Sequence, residues 1–178
     1  MSADTASTTP AGPAAPRSRL LVVDDVTVNI ELLFRIFRED HDVIFATSGE
    51  QALELCTRQI PDLILLDVQM PGIDGLETCR RLKANPLTAD IPVIFVSGRD
   101  DAAEIARGLE AGAVDFVTKP VDRLVVRARV RTHLQGSLLA RDLAAKNRQL
   151  EEEIAQRKAL KGQLSMLSEQ EAQRWGLE

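Results

Sequence analysis

The stretch Leu63-Ile-Leu-Leu66, running into Asp67-Val-Gln-Met-Pro-Gly-Ile-Asp-Gly75, decides the fold. Four consecutive apolar residues without polar alternation read as a strand buried on both faces, the pattern of a parallel sheet covered by helices. Asp67 then emerges at the carboxyl end of that strand, the edge at which open parallel sheets bind ligands. Three more runs repeat the arrangement. Leu20-Leu-Val-Val23 leads into Asp24-Asp25, Val93-Ile-Phe-Val96 into Ser97, and Val114-Asp-Phe-Val117 into Thr118-Lys119-Pro120. Four strand ends thus deliver three acids, a hydroxyl and an ammonium. That set suits a magnesium ion and a phosphoryl group on Asp67.

Amphipathic segments separate these runs. Strands are predicted over residues 19–24, 42–46, 62–66, 92–96 and 114–117, helices over 27–39, 49–58, 76–84 and 101–109, and a last helix from 121. Strands alternating with helices of about ten residues make an α/β fold with a parallel sheet covered on both sides. Ser48-Gly-Glu-Gln51 and Asp74-Gly-Leu-Glu77 have the form of capping boxes, in which side chains satisfy the free amides of a helix start. Ile91-Pro92 imposes an extended approach to the fourth strand, where a missing amide is tolerable.

From about Arg19 to His133 the chain resembles the receiver domain of bacterial two-component response regulators. The resemblance rests on Asp24-Asp25, on Asp67 with Met70-Pro71-Gly72 and Asp74-Gly75 behind it, on Ser97-Gly98 and on Lys119-Pro120, in that order and comparably spaced. It implies a doubly wound, flavodoxin-like sheet of five parallel strands in the order 2-1-3-4-5. It also implies that Asp67 accepts a phosphoryl group from the phosphohistidine of a sensor histidine kinase or a phosphotransfer protein. Asp25 and Asp67 would bind Mg2+ directly, Asp24 would act through water, and the backbone carbonyl of Gln69 would complete the protein ligands. Lys119 would reach the phosphoryl oxygens and, in the resting protein, the Asp67 carboxylate. Ser97 would donate its hydroxyl to the phosphoryl group and relay the state of Asp67. Phe116 takes the aromatic switch position and, lacking a phenol oxygen, would respond by packing alone. Gly98 leaves room for the donor, Gln69 and Arg99 flank the site, and the Lys119-Pro120 bond is expected to be cis. Such a receiver assists its own Mg2+-dependent phosphorylation and dephosphorylation and is not a conventional enzyme.

Each residue also has a plainer reading. A single Asp at a strand end is often a turn or cap residue, a Ser there caps the next helix, and a lysine beside a turn is usually solvated. Phe116 is equally compatible with core packing. The joint reading prevails because three carboxylates and a cation converge on one edge. Without metal such acids repel one another and hold protons more tightly. Mg2+, a hard cation that prefers oxygen, relieves the repulsion. A phosphohydrolase of the haloacid-dehalogenase type also uses an aspartyl phosphate and Mg2+, but needs a second acid two residues after its nucleophile, where this chain has Gln69. A phosphorylation-independent dimerisation scaffold is disfavoured by the intact acidic set and Lys119. Nothing after Leu134 reads as a helix-turn-helix.

The formal charge of −5 over 178 residues, with no cluster of Lys and Arg, argues against direct binding of nucleic acid. Cys56 and Cys79 fit no metal spacing and read as buried reduced thiols, consistent with a cytoplasmic protein. No apolar run is long enough to span a membrane, and no secretory signal is recognisable. Residues 1–18, rich in Ala, Pro, Ser and Thr, are expected to form a disordered leader, 19–133 the receiver domain, and 134–178 a helical coiled-coil tail.

From Val121 to about Gln173 only Gly136 and Gly162 interrupt a charged, Leu-spaced pattern. Ala140, Asn147, Ile154 and Lys161 take a positions; Leu143, Leu150, Arg157 and Leu164 take d positions. A parallel homodimer is expected, its seam formed by Leu143, Asn147, Leu150, Ile154 and Leu164, with Lys146 facing Glu151 and Glu153 facing Lys158 across it. The alternative is a single amphipathic or solvated helix. Residues 144–157 resemble linkers that join receivers to diguanylate cyclases, histidine kinases or AAA+ activators. The final Leu177-Glu178 has the form of a cloning remnant, which would make the chain a fragment stopping before an output domain.

Overall fold

The computed structural model describes residues 17–98 and 102–176. Most of the expected leader, Arg99, the predicted start of the fourth helix and the closing Leu177-Glu178 lie outside the described residues. Strands and helices alternate as β1 (Arg19–Val23), α1 (Thr27–Phe37), β2 (Asp42–Ala46), α2 (Gly49–Arg58), β3 (Leu63–Asp67), α3 (Gly75–Ala84), β4 (Val93–Ser97), α4 (Ala102–Glu110), β5 (Asp115–Thr118) and α5 (Arg123–Arg174). All strand pairs are parallel, and the sheet runs β2-β1-β3-β4-β5. This is the order the resemblance implies.

The uninterrupted apolar runs make sense once both sheet faces are covered. Side chains alternate across a strand, so Leu20, Val22, Leu63, Leu65, Ile94 and Val96 join one apolar cluster with Ile30, Leu33 and Phe37 of α1 and Val126, Val130 and Leu134 of α5. Their neighbours Leu21, Val23, Ile64, Leu66, Val93 and Phe95 join the other, with Ala52 and Cys56 of α2 and Leu76, Cys79 and Leu82 of α3. Each fully buried aliphatic side chain contributes about 1.5–3 kcal/mol. Cys56 and Cys79 are free and buried, as expected, and burial pushes the Cys56 thiol up to about 11.

Three strands end one residue later than predicted. The apolar run stops at Leu66, Val96 and Val117, but ladder pairing continues through Asp67↔Val96 and Ser97↔Thr118. Asp67 and Ser97 are therefore strand residues, not the first residues of the loops. The predicted capping boxes form only by half. Ser48 and Asp74 each accept the amide of the residue three positions on, Gln51 and Glu77. Gln51 reaches back to the amide of Thr47 rather than Ser48, and Glu77 turns to Arg80 and Arg81. The last helix starts at Arg123, two residues later than predicted, because the Asp122 carboxylate caps the amides of Leu124 and Val125.

Helix α5 runs unbroken over 52 residues, through both glycines. The described residues divide into two compact units, one through Leu134 and one from Gln135 onward. In the second unit the seam residues Leu143, Asn147, Leu150, Ile154 and Leu164 are all exposed in the single chain.

At Gly75 the backbone of α3 closes against the end of β3, where its amide donates to the Val68 carbonyl at 2.9 Å. An added Cβ would stand 2.1 Å from the Asp67 carbonyl oxygen and 2.8 Å from the Val68 Cα. Gly75→Ala is therefore expected to cost at least about 1–3 kcal/mol of stability. Gly136→Ala, with open space around it in mid-helix, should instead gain about 0.5–1 kcal/mol. Chemical denaturation followed by circular dichroism checks both.

Candidate functional site

Register assembles the site. Val23 pairs with Leu66, so the next residues, Asp24 and Asp67, come level at the carboxyl edge of the two central strands. Asp67 pairs with Val96, which brings Ser97 one step beyond. The amide of Lys119 donates to the Ser97 carbonyl at 2.7 Å and ties the end of β5 to β4. The Lys119-Pro120 bond is cis, as expected.

Asp24 and Asp67 are buried, at 1% and 5% exposure, while Asp25 is exposed. One carboxylate oxygen from each of the three lies within 4.8 Å of the others. The Lys119 ammonium bridges two of them, 2.7 Å from Asp24 Oδ2 and 3.2 Å from Asp67 Oδ2. The expected contact with Asp67 is present, and a shorter one with Asp24, not expected from sequence, accompanies it. Burial pushes the Asp67 carboxyl up, the Asp24 charge adds to this, and Lys119 opposes it. Repulsion among the acids, the cause expected from sequence, thus ranks second to desolvation. Burial alone would depress the Lys119 ammonium, but its bonds to Asp24 and the charges of Asp67 and Asp24 hold it above its usual value.

The remaining predicted residues surround this centre. Ser97 is fully buried at the end of β4. Gln69 is exposed, and its amide lies 3.5 Å from Asp67 Oδ1. Phe116 is buried in the apolar cluster with Phe95, Ala111 and Ala113. A Cβ on Gly98 would meet no atom of the described residues within 4 Å.

Two contributors escaped the sequence reading. Asn29, in the first turn of α1, directs its amide at both oxygens of Asp24, 3.1 Å from Oδ1 and 3.0 Å from Oδ2. Glu50 of α2 accepts the Ile73 amide at 3.2 Å and so holds the loop behind Asp67. Gly72, at φ 79°, is required by its left-handed backbone, and a Cβ there would stand 2.9 Å from the movable end of the Glu50 side chain. A polar residue just inside an amphipathic helix was the only sequence signal for Asn29, and nothing marked Glu50.

The donor set fits a hard divalent cation: three carboxylates converge, all offering oxygen. Asp24, Asp25 and Asp67 would hold such an ion, with Lys119 offsetting the charge when it is absent. With a cation and an ammonium beside it, the Asp67 carboxylate is equipped to approach an anionic electrophile such as a phosphoryl group.

Comparison with known proteins agrees with this chemistry. The family model of the response regulator receiver domain matches residues 20–131. The chain is 43% identical over 127 residues to the response regulator PleD of Caulobacter vibrioides, a match covering 71% of this chain and 28% of PleD. Among solved structures it resembles the receiver domain of a signal transduction histidine kinase from Syntrophus aciditrophicus (36% identity, TM-score 0.63, covering 67% of this chain and 91% of that one). It also resembles the receiver domain of a sensor histidine kinase from Pseudomonas aeruginosa PAO1, solved with a magnesium ion coordinated in the active site cleft (25% identity, TM-score 0.63, covering 67% and 98%). The chain belongs to the response regulator receiver family of two-component systems. It spans 28% to 52% of the length of the curated relatives that it matches. Receivers of this family are signalling domains that interact with histidine kinases or phosphotransfer proteins and generally bind Mg2+ at an acidic pocket. Among the described residues no helix is long and apolar enough to cross a membrane.

The raised proton affinity of Asp67 has a stability consequence. An acid that holds its proton more tightly when folded weakens the fold once it ionises. For Asp67 the loss sets in as pH rises past its ordinary value of 3.8 and is complete above its raised value. In metal-free protein at neutral pH, Asp67→Asn is therefore expected to raise the melting temperature. The difference should narrow as pH falls toward 3.8. Differential scanning calorimetry in chelator across that range checks it.

Proposed function

We propose that the protein is a phosphorylation-controlled receiver in which Asp67 takes a phosphoryl group from the phosphohistidine of a partner kinase or phosphotransfer protein. The observation that carries the reading is the Lys119 ammonium held between Asp24 and Asp67 at the mouth of three converging carboxylates. An Asp67 oxygen attacks phosphorus, the new P–O bond forming as the donor P–N bond breaks and its electron pair returns to the imidazole nitrogen. Lys119 pairs with a phosphoryl oxygen and Ser97 donates its hydroxyl to another. When bound by Asp24, Asp25, Asp67 and the Gln69 carbonyl, Mg2+ neutralises phosphoryl charge and relieves the repulsion among the acids. The magnesium in the cleft of the similar Pseudomonas receiver supports this assignment. Attack of water on the acyl phosphate returns Asp67 to its free state, so the chain assists both directions without being a conventional enzyme.

The signal leaves the site through Ser97, whose hydroxyl pulls on the phosphoryl group, and reaches the packing of Phe116. The output is a change in a parallel homodimer of the tail, in a cytoplasmic regulator. Leu143, Leu150, Ile154 and Leu164 line one exposed stripe, at 52% to 60% exposure in the single chain, around Asn147. The expected cross-seam pairs compete with partners on the same helix: Lys146 lies 3.2 Å from Asp142 and Glu153 lies 3.4 Å from Arg157. Exposed pairs contribute only about 0.2–1 kcal/mol each, so the charges select register while the apolar stripe drives association.

Incubation with acetyl phosphate and Mg2+ should add one phosphate to the intact mass, and chelator or Asp67→Asn should abolish it. An undiminished adduct on the Asn variant would refute the assignment. In sedimentation analysis the phosphorylated chain is expected to be dimeric, and a version ending at Gln135 mostly monomeric without phosphate. Glu153→Lys and Lys158→Glu should each weaken association modestly, more at low salt than at high, and the double swap should restore part of it. A monomer in both phosphorylation states at high concentration would reject the coiled-coil output while leaving the phosphorylation chemistry standing.

A further inference from the structure

We infer that Asn29 is a positioning residue for Asp24, and that its amide is what releases Lys119 from Asp24 toward an incoming phosphoryl group. The inference rests on the phosphoryl-transfer reading above.

Asp24 is all but sealed from water, at 1% exposure. Its oxygens therefore depend on protein donors, and three are in place. The Val26 amide reaches Oδ1 at 2.8 Å, Lys119 reaches Oδ2 at 2.7 Å, and the Asn29 amide reaches both, at 3.1 and 3.0 Å. Lys119 sits closer to Asp24 than to Asp67, so serving a phosphoryl group on Asp67 means loosening its hold on Asp24. A buried carboxylate that loses its only partners is strongly disfavoured. Oδ2, the oxygen Lys119 would vacate, keeps the Asn29 donor.

The chemistry of an amide suits this task. It orients a carboxylate through hydrogen bonds yet carries no charge, so it does not compete with an arriving cation as a second lysine would. The Asn29 backbone is tied into the helix, its amide closing the first turn of α1 on the Val26 carbonyl at 2.9 Å. The side chain is thus presented from a fixed helix, the arrangement by which outer-shell residues set the direction of a metal ligand. Helix α1 begins without a side-chain cap from Val26; Asn29 faces Asp24 rather than serving that helix start.

The test is calorimetric titration of the full chain with Mg2+ alone, no phosphoryl donor present, for the unmodified protein, Asn29→Leu and Asn29→Gln. Leucine keeps the shape of asparagine and removes the donor; glutamine keeps the donor on a longer arm. The Leu variant is expected to bind Mg2+ about 10–100-fold more weakly, and the Gln variant to recover part of that loss. If Asn29→Leu does not fold in the absence of metal, Asn29→Ala takes its place in the comparison. Affinity within about twofold of the unmodified chain in a folded donor-free variant would overturn the inference. So would equal weakening by Leu and Gln, which would make the contribution one of packing. Failure of the unmodified chain to bind Mg2+ would overturn the phosphoryl-transfer reading along with it.

Discussion

One ammonium between two buried carboxylates organises the functional end of this molecule. Lys119 stands 2.7 Å from Asp24 and 3.2 Å from Asp67, with both acids almost wholly removed from water. Burying one carboxylate without a counter-charge is expensive, and burying two side by side compounds the cost through their repulsion. The fold tolerates the pair because the Lys119 backbone is itself anchored, its amide bonded to Ser97, and because Val26 and Asn29 add neutral donors to Asp24. A resting site built this way is poised. On the reading proposed above, the ammonium turns to a new anion while Asp24 keeps its neutral donors.

The sheet supplies the precision such a site needs. Each central strand alternates its side chains between two apolar clusters, so β1, β3 and β4 cannot slip by one residue without exchanging the faces they present to α1 and α5 or to α2 and α3. Fixing those registers fixes the level at which Asp24, Asp67 and Ser97 leave the sheet. The two apolar cores and the polar edge are therefore one construction. The loop behind Asp67 is held with comparable care, by Gly75 packed onto the Asp67 carbonyl and by Glu50 bonded to Ile73.

The second unit follows a different logic. Its large apolar residues among those described, Leu138 to Trp175, are exposed in the single chain, and charges such as Lys146 with Asp142 and Glu153 with Arg157 pair along the same helix. A helix this long gains little from intrinsic propensity and ordinarily relies on packing an apolar face. The stripe led by Leu143, Leu150 and Ile154 is such a face, left exposed in the single chain.

What the sequence by itself determined is the set of strands and the edge of the sheet at which three acids, a hydroxyl and a lysine stand. Those follow from local pattern: short apolar runs bounded by turn residues and alternating with amphipathic segments read as strands covered on both faces, and the polar residue that ends such a run stands at the sheet edge. The exact strand ends did not follow, because ladder pairing continues into Asp67, Ser97 and Thr118 after hydrophobicity has stopped. Nor did the second half of each capping box, since Gln51 and Glu77 had other partners within reach. Asn29, Glu50 and the preference of Lys119 for Asp24 were decided by tertiary structure alone. Each is a contact between different elements, 5, 23 and 95 residues apart in the chain for the pairs that define them. Local periodicity reports which face of an element is apolar. Only the folded sheet brings those elements within hydrogen-bonding distance and sets which oxygen each donor meets.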